Sequence, residues 1–254
     1  MADNNNQTLT KKQHYVKLMP TKQTLKRPDG RGYEDTRPIT AKVGIIKNAQ
    51  GSAMFQIGDT QAIAAVYGPR NLFPRFLQNP RKGILRCFYN MMPFSGHGER
   101  IRPGGSRRSK EISMVTQNSL LPVLNLEDYP NTVVDVFIEF PQTDAGSRCA
   151  GICAASMALA DAGLAMKDLI AAVAVGKIND QTIVDLNYAE EAYDGQVSDI
   201  PIAMLPNSGK ITLLQMDGII DRTSLKNALE IGKKTCQKIY TIQKQALKDK
   251  YKVD

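Results

Sequence analysis

Gln142 to Gly163 reads QTDAGSRCAGICAASMALADAG, and the remainder of the chain can be arranged around it. The stretch opens on a turn, Thr143-Asp144-Ala145-Gly146, passes Ser147 and Arg148, and continues into about fifteen mostly small apolar residues that stop at Gly163. Ala150, Gly151, Ala154, Ala155, Ala158 and Ala162 carry almost no side chain, so the segment predicts a helix whose neighbours approach its backbone closely. Gly163 supplies the stop, because glycine takes the left-handed conformation of a helix end without strain. At the other end, the first N–H groups of a helix lack partners and the helix dipole is positive, which together favour an anion. Gly146, Ser147 and Arg148 are therefore candidate anion ligands, Arg148 as a forked cationic donor and Ser147 as a hydroxyl. The competing reading is an ordinary helix cap beside a surface arginine, since Gly-Ser-Arg is not a specific motif.

At 254 residues the chain can bury a sizeable core in one large domain or two small ones. No apolar run reaches membrane-span length, and MADNNNQTLTKK lacks the apolar centre of a secretion signal, so a cytoplasmic location away from membranes is expected. Cys87, Cys149, Cys153 and Cys236 include no Cys-x-x-Cys pair; buried thiols are expected, with zinc or a disulfide as the alternative. His14 and His97 are the only histidines, which argues against Ser-His or Cys-His hydrolytic chemistry. Charge is unevenly spread: residues 68–110 carry a net +9 and residues 111–254 a net −6. A basic middle segment facing an acidic C-terminal part suits a polyanion gripped near carboxylates that hold a metal, with a solvated basic face as the alternative.

Residues 1–25 are polar, then lysine-rich, and read as a mobile basic tail ahead of a domain at 26–252. Arg27-Pro-Asp-Gly-Arg-Gly is turn chemistry. Lys42–Lys47, Ser52–Ile57 and Gln61–Tyr67 predict an antiparallel meander. A basic loop follows, with Arg70, Arg75, Arg81 and Lys82 interleaved with Phe73 and Phe76. Such a loop suits the phosphates and stacked bases of single-stranded nucleic acid, unless the two phenylalanines are simply buried. Next come a strand over Ile84–Asn90, a flexible loop at 95–106, Arg107-Arg108, a helix near Ser109–Leu124 and a strand over Asn131–Phe140. After the central helix, strands are expected at Ile170–Gly176, Gln181–Leu186, Ile200–Leu205 and Lys210–Met216. An acidic loop, YAEEAYDGQVSD, separates the second from the third. Asp221–Tyr251 reads as an amphipathic helix, with Leu225, Leu229, Cys236 and Ile239 near one stripe. The pattern is α+β: mixed strands packed with a few long helices, in a single domain without tandem repeats.

Six stretches together carry a resemblance. Arg27-Pro-Asp-Gly-Arg31, Ala64-Ala-Val-Tyr-Gly-Pro69, Arg107-Arg108-Ser-Lys-Glu-Ile112, Thr143-Asp-Ala-Gly-Ser-Arg148, Ala155-Ser-Met-Ala-Leu-Ala-Asp-Ala-Gly163 and Ser198-Asp-Ile-Pro-Ile-Ala203 occur in the order and spacing of the RNase PH family. Over roughly residues 25–252 the chain resembles that family, and within it the archaeal exosome branch. The resemblance implies a phosphorolytic 3′→5′ exoribonuclease, with inorganic phosphate as co-substrate and nucleoside diphosphates as products. It further implies a divalent metal ion (Mg or Mn), single-stranded RNA as substrate, a homologous non-catalytic ring subunit in a hetero-hexamer, and RNA-binding cap subunits.

By the same resemblance, Gly146, Ser147, Arg148 and Arg108 bind phosphate, and Arg107 and Arg108 hold the RNA backbone. Arg70 and Arg75 line the path of the RNA, and Asp199 is both catalytic and metal-binding. One departure bears on mechanism. Where the family usually has Glu-Asp six residues before the later aspartate, this chain has Glu190-Glu191, and the loop to Asp199 is two residues longer. Glu191 is then expected as second metal ligand and catalytic carboxylate, with Asp194 as its rival. A catalytically silent RNA-binding scaffold subunit is the alternative function that this departure leaves open, and a homo-hexameric tRNA-trimming enzyme is another. Asp185 matches a frequent family aspartate and is expected to be structural.

Overall fold

The computed structural model describes residues 27–97, 100–102 and 105–252. The expected tail at 1–25 and part of the expected loop at 95–106 lie outside the described residues.

Strands β1 (Ile39–Val43), β2 (Gly51–Ile57) and β3 (Thr60–Asn71) form the antiparallel meander. With β4 (Ile84–Met91) and β5 (Thr132–Gln142) they make a five-stranded sheet of order β1-β2-β3-β5-β4. In it β5 runs antiparallel to β3 and parallel to β4. The parallel step needs a long crossover, and helix α1 (Arg107–Leu120) lies within it. Helix α2 (Ser147–Asp161) follows β5 directly. A second, antiparallel sheet contains β6 (Ala171–Ile178), β7 (Gln181–Val184), β8 (Val197–Met204) and β9 (Ile211–Leu214) in the order β7-β6-β8-β9. The short helix α3 (Tyr188–Glu191) joins β7 to β8, and α4 (Arg222–Tyr251) closes the chain.

The small-residue helix α2 is sandwiched between the sheets, against β2 and β3 on one side and β6 on the other. Thirteen of its fifteen residues are buried, so it is a central post and not a surface helix. Its lack of side chains is what permits this: a Cβ on Gly51 of β2 would lie 2.3 Å from the Ala158 carbonyl oxygen. One apolar core runs through both sheets, from Phe55 and Ile138 to Val175 and Ile202. Helix α4 lays Ala228, Cys236 and Ile239 into it against β6. At the far end of α2 the Asp161 carboxylate accepts from the Ser52 N–H at 2.9 Å and from the Tyr251 hydroxyl at 2.8 Å, and pairs with Lys250. That clasp fixes the end of α4 to the end of α2.

Several element boundaries differ from expectation: β3 runs on to Asn71, β8 starts at Val197, β7 and β9 are shorter, and three further shifts have a visible cause. The first strand lies earlier than Lys42–Lys47, because Gly44 takes φ +74° and turns the chain out of the sheet. Helix α1 starts before Ser109, because the Ser106 hydroxyl accepts from the Ser109 N–H at 3.0 Å and caps it. This draws Arg107 and Arg108 into the first helical turn. It ends at Leu120, where Pro122 accompanies a 3₁₀ turn over Leu121–Val123 in place of further α-helix. All four cysteines are buried and none is in a disulfide, in line with the expected buried thiols. Among the described residues no helix is long and apolar enough to cross a membrane.

Candidate active site

The turn ahead of α2 is held from outside. The Thr60 hydroxyl donates to the Ala145 carbonyl at 2.7 Å, the Asp144 N–H donates to the Thr60 hydroxyl at 3.1 Å, and the Thr143 N–H donates to the Ser95 carbonyl at 2.8 Å. Gly146, at φ +69°, then swings the chain into the helix and offers no side chain to cap it. The first N–H groups of α2 therefore face a cavity of about 320 Å³, lined also by Ser147, Arg148, Arg108, Glu191, Asp199 and Asp217. The Gln215 side-chain oxygen accepts from Arg148 Nη1 at 3.4 Å, and Arg148 Nε is buried without a partner among the described residues. A second cavity of about 300 Å³ adjoins it, sharing Arg108, Asp144 and Glu191 and adding Tyr89, His97 and Tyr188. Arg107 is exposed and lines neither.

Across from the arginines stand carboxylates. Asp199 is the third residue of β8, paired with Gly176 of β6 and bridged to Asp217 by two backbone hydrogen bonds of 2.9 Å, so the strand holds it rigidly. Its Oδ1 is buried and has no hydrogen-bond partner among the described residues. Burial pushes its carboxyl up to about 6; Arg148 opposes the rise and Asp217 adds to it. Glu191 closes α3, open to the cavity on one face and crowded by protein on the others. Burial, then Asp199 and Asp144, push it up to about 7 against the pull of Arg108 and Arg37. The Asp199 charge raises the affinity of Glu191 for a proton, and a cation placed between them would relieve the repulsion. An orphaned buried oxygen beside a second, destabilised carboxylate fits a divalent ion. Among the described residues no group of three or more His, Cys, Asp or Glu stands ready to close a metal shell. Two carboxylates with the remaining positions left to substrate oxygens is the usual arrangement for Mg²⁺ at phosphate chemistry.

The two glutamates of the acidic loop have separate jobs. Glu190 is fully buried: it caps α3 reciprocally with Asn187 and accepts from Arg27 Nε at 2.8 Å and Nη2 at 3.0 Å. Glu191, one residue on, projects to the cavity. Asp194 is exposed on the bend beyond α3 and lines neither cavity, so the lengthened loop does not fold it back. Asp185, at φ +54°, is structural as expected: it accepts from Arg37 Nε and Nη2 at 2.9 and 2.7 Å. The same guanidinium reaches Asp144 at 2.6 Å, which locks the turn before α2 to the second sheet.

The chain matches the 3′ exoribonuclease family, domain 1 over residues 35–165 and domain 2 over residues 168–235. The chain belongs to the 3′ exoribonuclease family. The two matched domains meet at the cavity, the first supplying Arg108, Ser147 and Arg148 and the second Glu191 and Asp199. Among curated members, the exosome complex component Rrp41 of Methanopyrus kandleri is 49% identical over 225 residues, 89% of this chain and 93% of that protein. The Rrp41 of Thermococcus kodakarensis is 50% identical over 226 residues, 89% and 90% of the two chains. A crystal structure of rice Rrp46 superposes with a TM-score of 0.78 at 25% identity, covering 87% of this chain and all of that one. A chain of the Archaeoglobus fulgidus exosome, solved with RNA bound to the active site, has a TM-score of 0.70 at 21% identity and covers 89% and 93%; it speaks to the fold alone.

For a 3′ exoribonuclease the basic loop is the other region of interest, and here the structure separates the two arginines. Phe73 and Phe76 are 68% and 83% exposed, which excludes their burial. Arg75 sits beside them on an exposed 3₁₀ turn over Arg75–Leu77. Arg70, in contrast, pairs with the buried Asp135, which Arg86 also grips at 2.6 and 2.9 Å. The loop is not at the cavity: Arg70 pairs with Val133 at one end of β5 while Thr143 follows the other, roughly 30 Å apart along the strand. Sequence reasoning missed Tyr89, Asp144, Gln215 and Asp217. Only Asp144 had a signal, its place inside the Thr-Asp-Ala-Gly-Ser-Arg motif.

Proposed function

We propose that the chain is the catalytic subunit of an exosome-type ring and shortens single-stranded RNA from its 3′ end, using inorganic phosphate and releasing nucleoside diphosphates. Attack by phosphate in place of water makes it a nucleotidyltransferase and not a hydrolase. The observation that carries this reading is the cavity itself, where a helix start with Ser147 and Arg148 faces Asp199 and Glu191 with Arg108 at the mouth. The attacking phosphate and the scissile phosphodiester are both anions, so their repulsion has to be neutralised before an in-line attack. The N–H groups of α2, the Ser147 hydroxyl and Arg148 bind and orient the phosphate nucleophile. Arg108, shared by both cavities, reaches that phosphate and the scissile phosphodiester beside it. Asp199 and Glu191 are the residues that would hold a divalent ion, Mg or Mn, whose chemistry there is charge neutralisation at the attacked phosphorus and the departing 3′ oxygen. No histidine base is required, because phosphate is already ionised at neutral pH.

Arg75 and the exposed Phe73 and Phe76 guide the incoming strand, with Arg107 and Arg70 contributing charge near its backbone. A homologous non-catalytic subunit completing a hetero-hexameric ring, RNA-binding cap subunits and a cytoplasmic location belong to the same reading; the Rrp41 relatives support it. The test incubates 5′-labelled RNA with the chain, alone and with a candidate partner, with and without phosphate. Nucleoside diphosphates formed only with phosphate are expected. Nucleoside monophosphates formed without it would mean a hydrolase, and RNA binding with no degradation in any assembly would mean a scaffold.

A further inference from the structure

Ser147 is the first residue of α2, and its hydroxyl is bonded to a distant element. The Tyr89 hydroxyl, from β4, donates to Ser147 Oγ at 2.9 Å. A serine hydroxyl that accepts one hydrogen bond keeps its own proton to donate elsewhere. No acceptor for that proton stands among the described residues, and the open space beside Ser147 is the cavity it lines.

Tyr89 is itself fixed. It is 3% exposed, its ring lies 4.9 Å from that of Phe140, its N–H donates to Ser113 Oγ at 2.9 Å, and its carbonyl accepts from the Ser109 hydroxyl. Both serines belong to α1, the helix whose first turn carries Arg108. One buried residue thus joins the two arms of the anion site, its backbone bonded to α1 and its hydroxyl to the start of α2. Burial pushes the phenol up from its ordinary range, with Arg108 and Arg148 opposing, so the hydroxyl stays protonated near neutrality.

We propose that Tyr89 is a positioning residue for inorganic phosphate, its hydroxyl holding that of Ser147 as a donor aimed into the cavity. The inference rests on the phosphorolytic reading above. The test uses the assembled enzyme with Tyr89→Phe, which removes one oxygen and keeps the ring against Phe140, alongside Ser147→Ala and the double variant. Calorimetry measures inorganic phosphate binding, and release of nucleoside diphosphate gives KM for phosphate and kcat. Tyr89→Phe weakens phosphate binding and raises its KM about 3- to 10-fold, the range of one neutral hydrogen bond, with a much smaller change in kcat. In the Ser147→Ala background it adds nothing, because the group it orients is gone. Unchanged phosphate affinity in Tyr89→Phe, full additivity with Ser147→Ala, or a loss confined to thermal stability and kcat overturns the proposal. A parent enzyme that degrades RNA without phosphate and binds none overturns it together with the reading beneath it.

Discussion

At its Thr132 end β5 borders the loop that carries Arg75, Phe73 and Phe76 into solvent; at its Gln142 end it runs into the turn that starts α2. The two regions draw on similar cations and differ in what surrounds them. Arg75 hangs on an exposed 3₁₀ turn, whereas Arg148 is the second residue of a buried helix with Gln215 against its guanidinium. A flexible cation can follow a polymer whose sequence varies, and a fixed one can place a single small anion. On the proposed function, strand guidance and chemistry are housed roughly 30 Å apart, so variants at one end of β5 should leave the other end's measurements untouched.

The largest effect is expected on the carboxylate side. Asp199→Asn removes the charge of the orphaned buried carboxylate and lowers turnover by about a hundredfold or more, with RNA affinity unchanged or slightly tighter. Single-turnover decay of 5′-labelled RNA measures it; full activity would place the chemistry elsewhere. Arg148→Ala and Arg108→Ala come next, each raising the phosphate concentration for half-maximal rate by about tenfold or more, as loss of a charge-assisted contact predicts. If they weakened only RNA binding, the division between the two ends would collapse.

At the basic loop, Arg75→Ala lowers RNA affinity and flattens its salt dependence by about 0.7 in the log–log slope, leaving turnover of bound substrate alone. Arg70→Ala has a smaller effect on RNA and a larger one on thermal stability, since it takes a partner from the buried Asp135. The smallest effect is a pH-dependent one. The Glu191 carboxyl, at about 7 in the folded chain, lies above its ordinary 4.5. The folded state therefore binds more protons across that interval, and stability falls as pH rises through it. Without divalent ions, Glu191→Gln gains on the order of 1 kcal/mol above pH 7, reduced because one face meets solvent, and nothing near pH 4. Parallel thermal melts at the two pH values check it.

Local pattern was enough for much of this molecule. The small residues of α2, the alternation in β2 and β3 and the β-branched run of β5 each specify their element within a few neighbours, and Gly146-Ser147-Arg148 announces a helix start. The first strand is harder to place, because Lys42–Lys47 keeps apolar residues past Gly44 and only the glycine's left-handed turn ends the pairing. Helix α3 leaves no trace in the sequence pattern because four residues show no period; its capping box is what holds it. Tyr89, Gln215 and Asp217 were illegible for a different reason. Each sits in an ordinary strand or its extension and acquires meaning only from a partner brought close by the sheet, Ser147, Arg148 and Asp199 respectively.

The clasp between Arg27 and Glu190 ties the start of the described chain to the helix that presents Glu191. Its two hydrogen bonds are out of solvent, and removing one partner of such a pair typically costs 3 to 5 kcal/mol, because the other is left charged and bare. A shortened gene whose product begins at Arg27 keeps this contact, and one whose product begins at Pro28 loses it. Comparing the two products should therefore isolate the clasp: loss of Arg27 silences a carboxylate 164 positions away in the sequence.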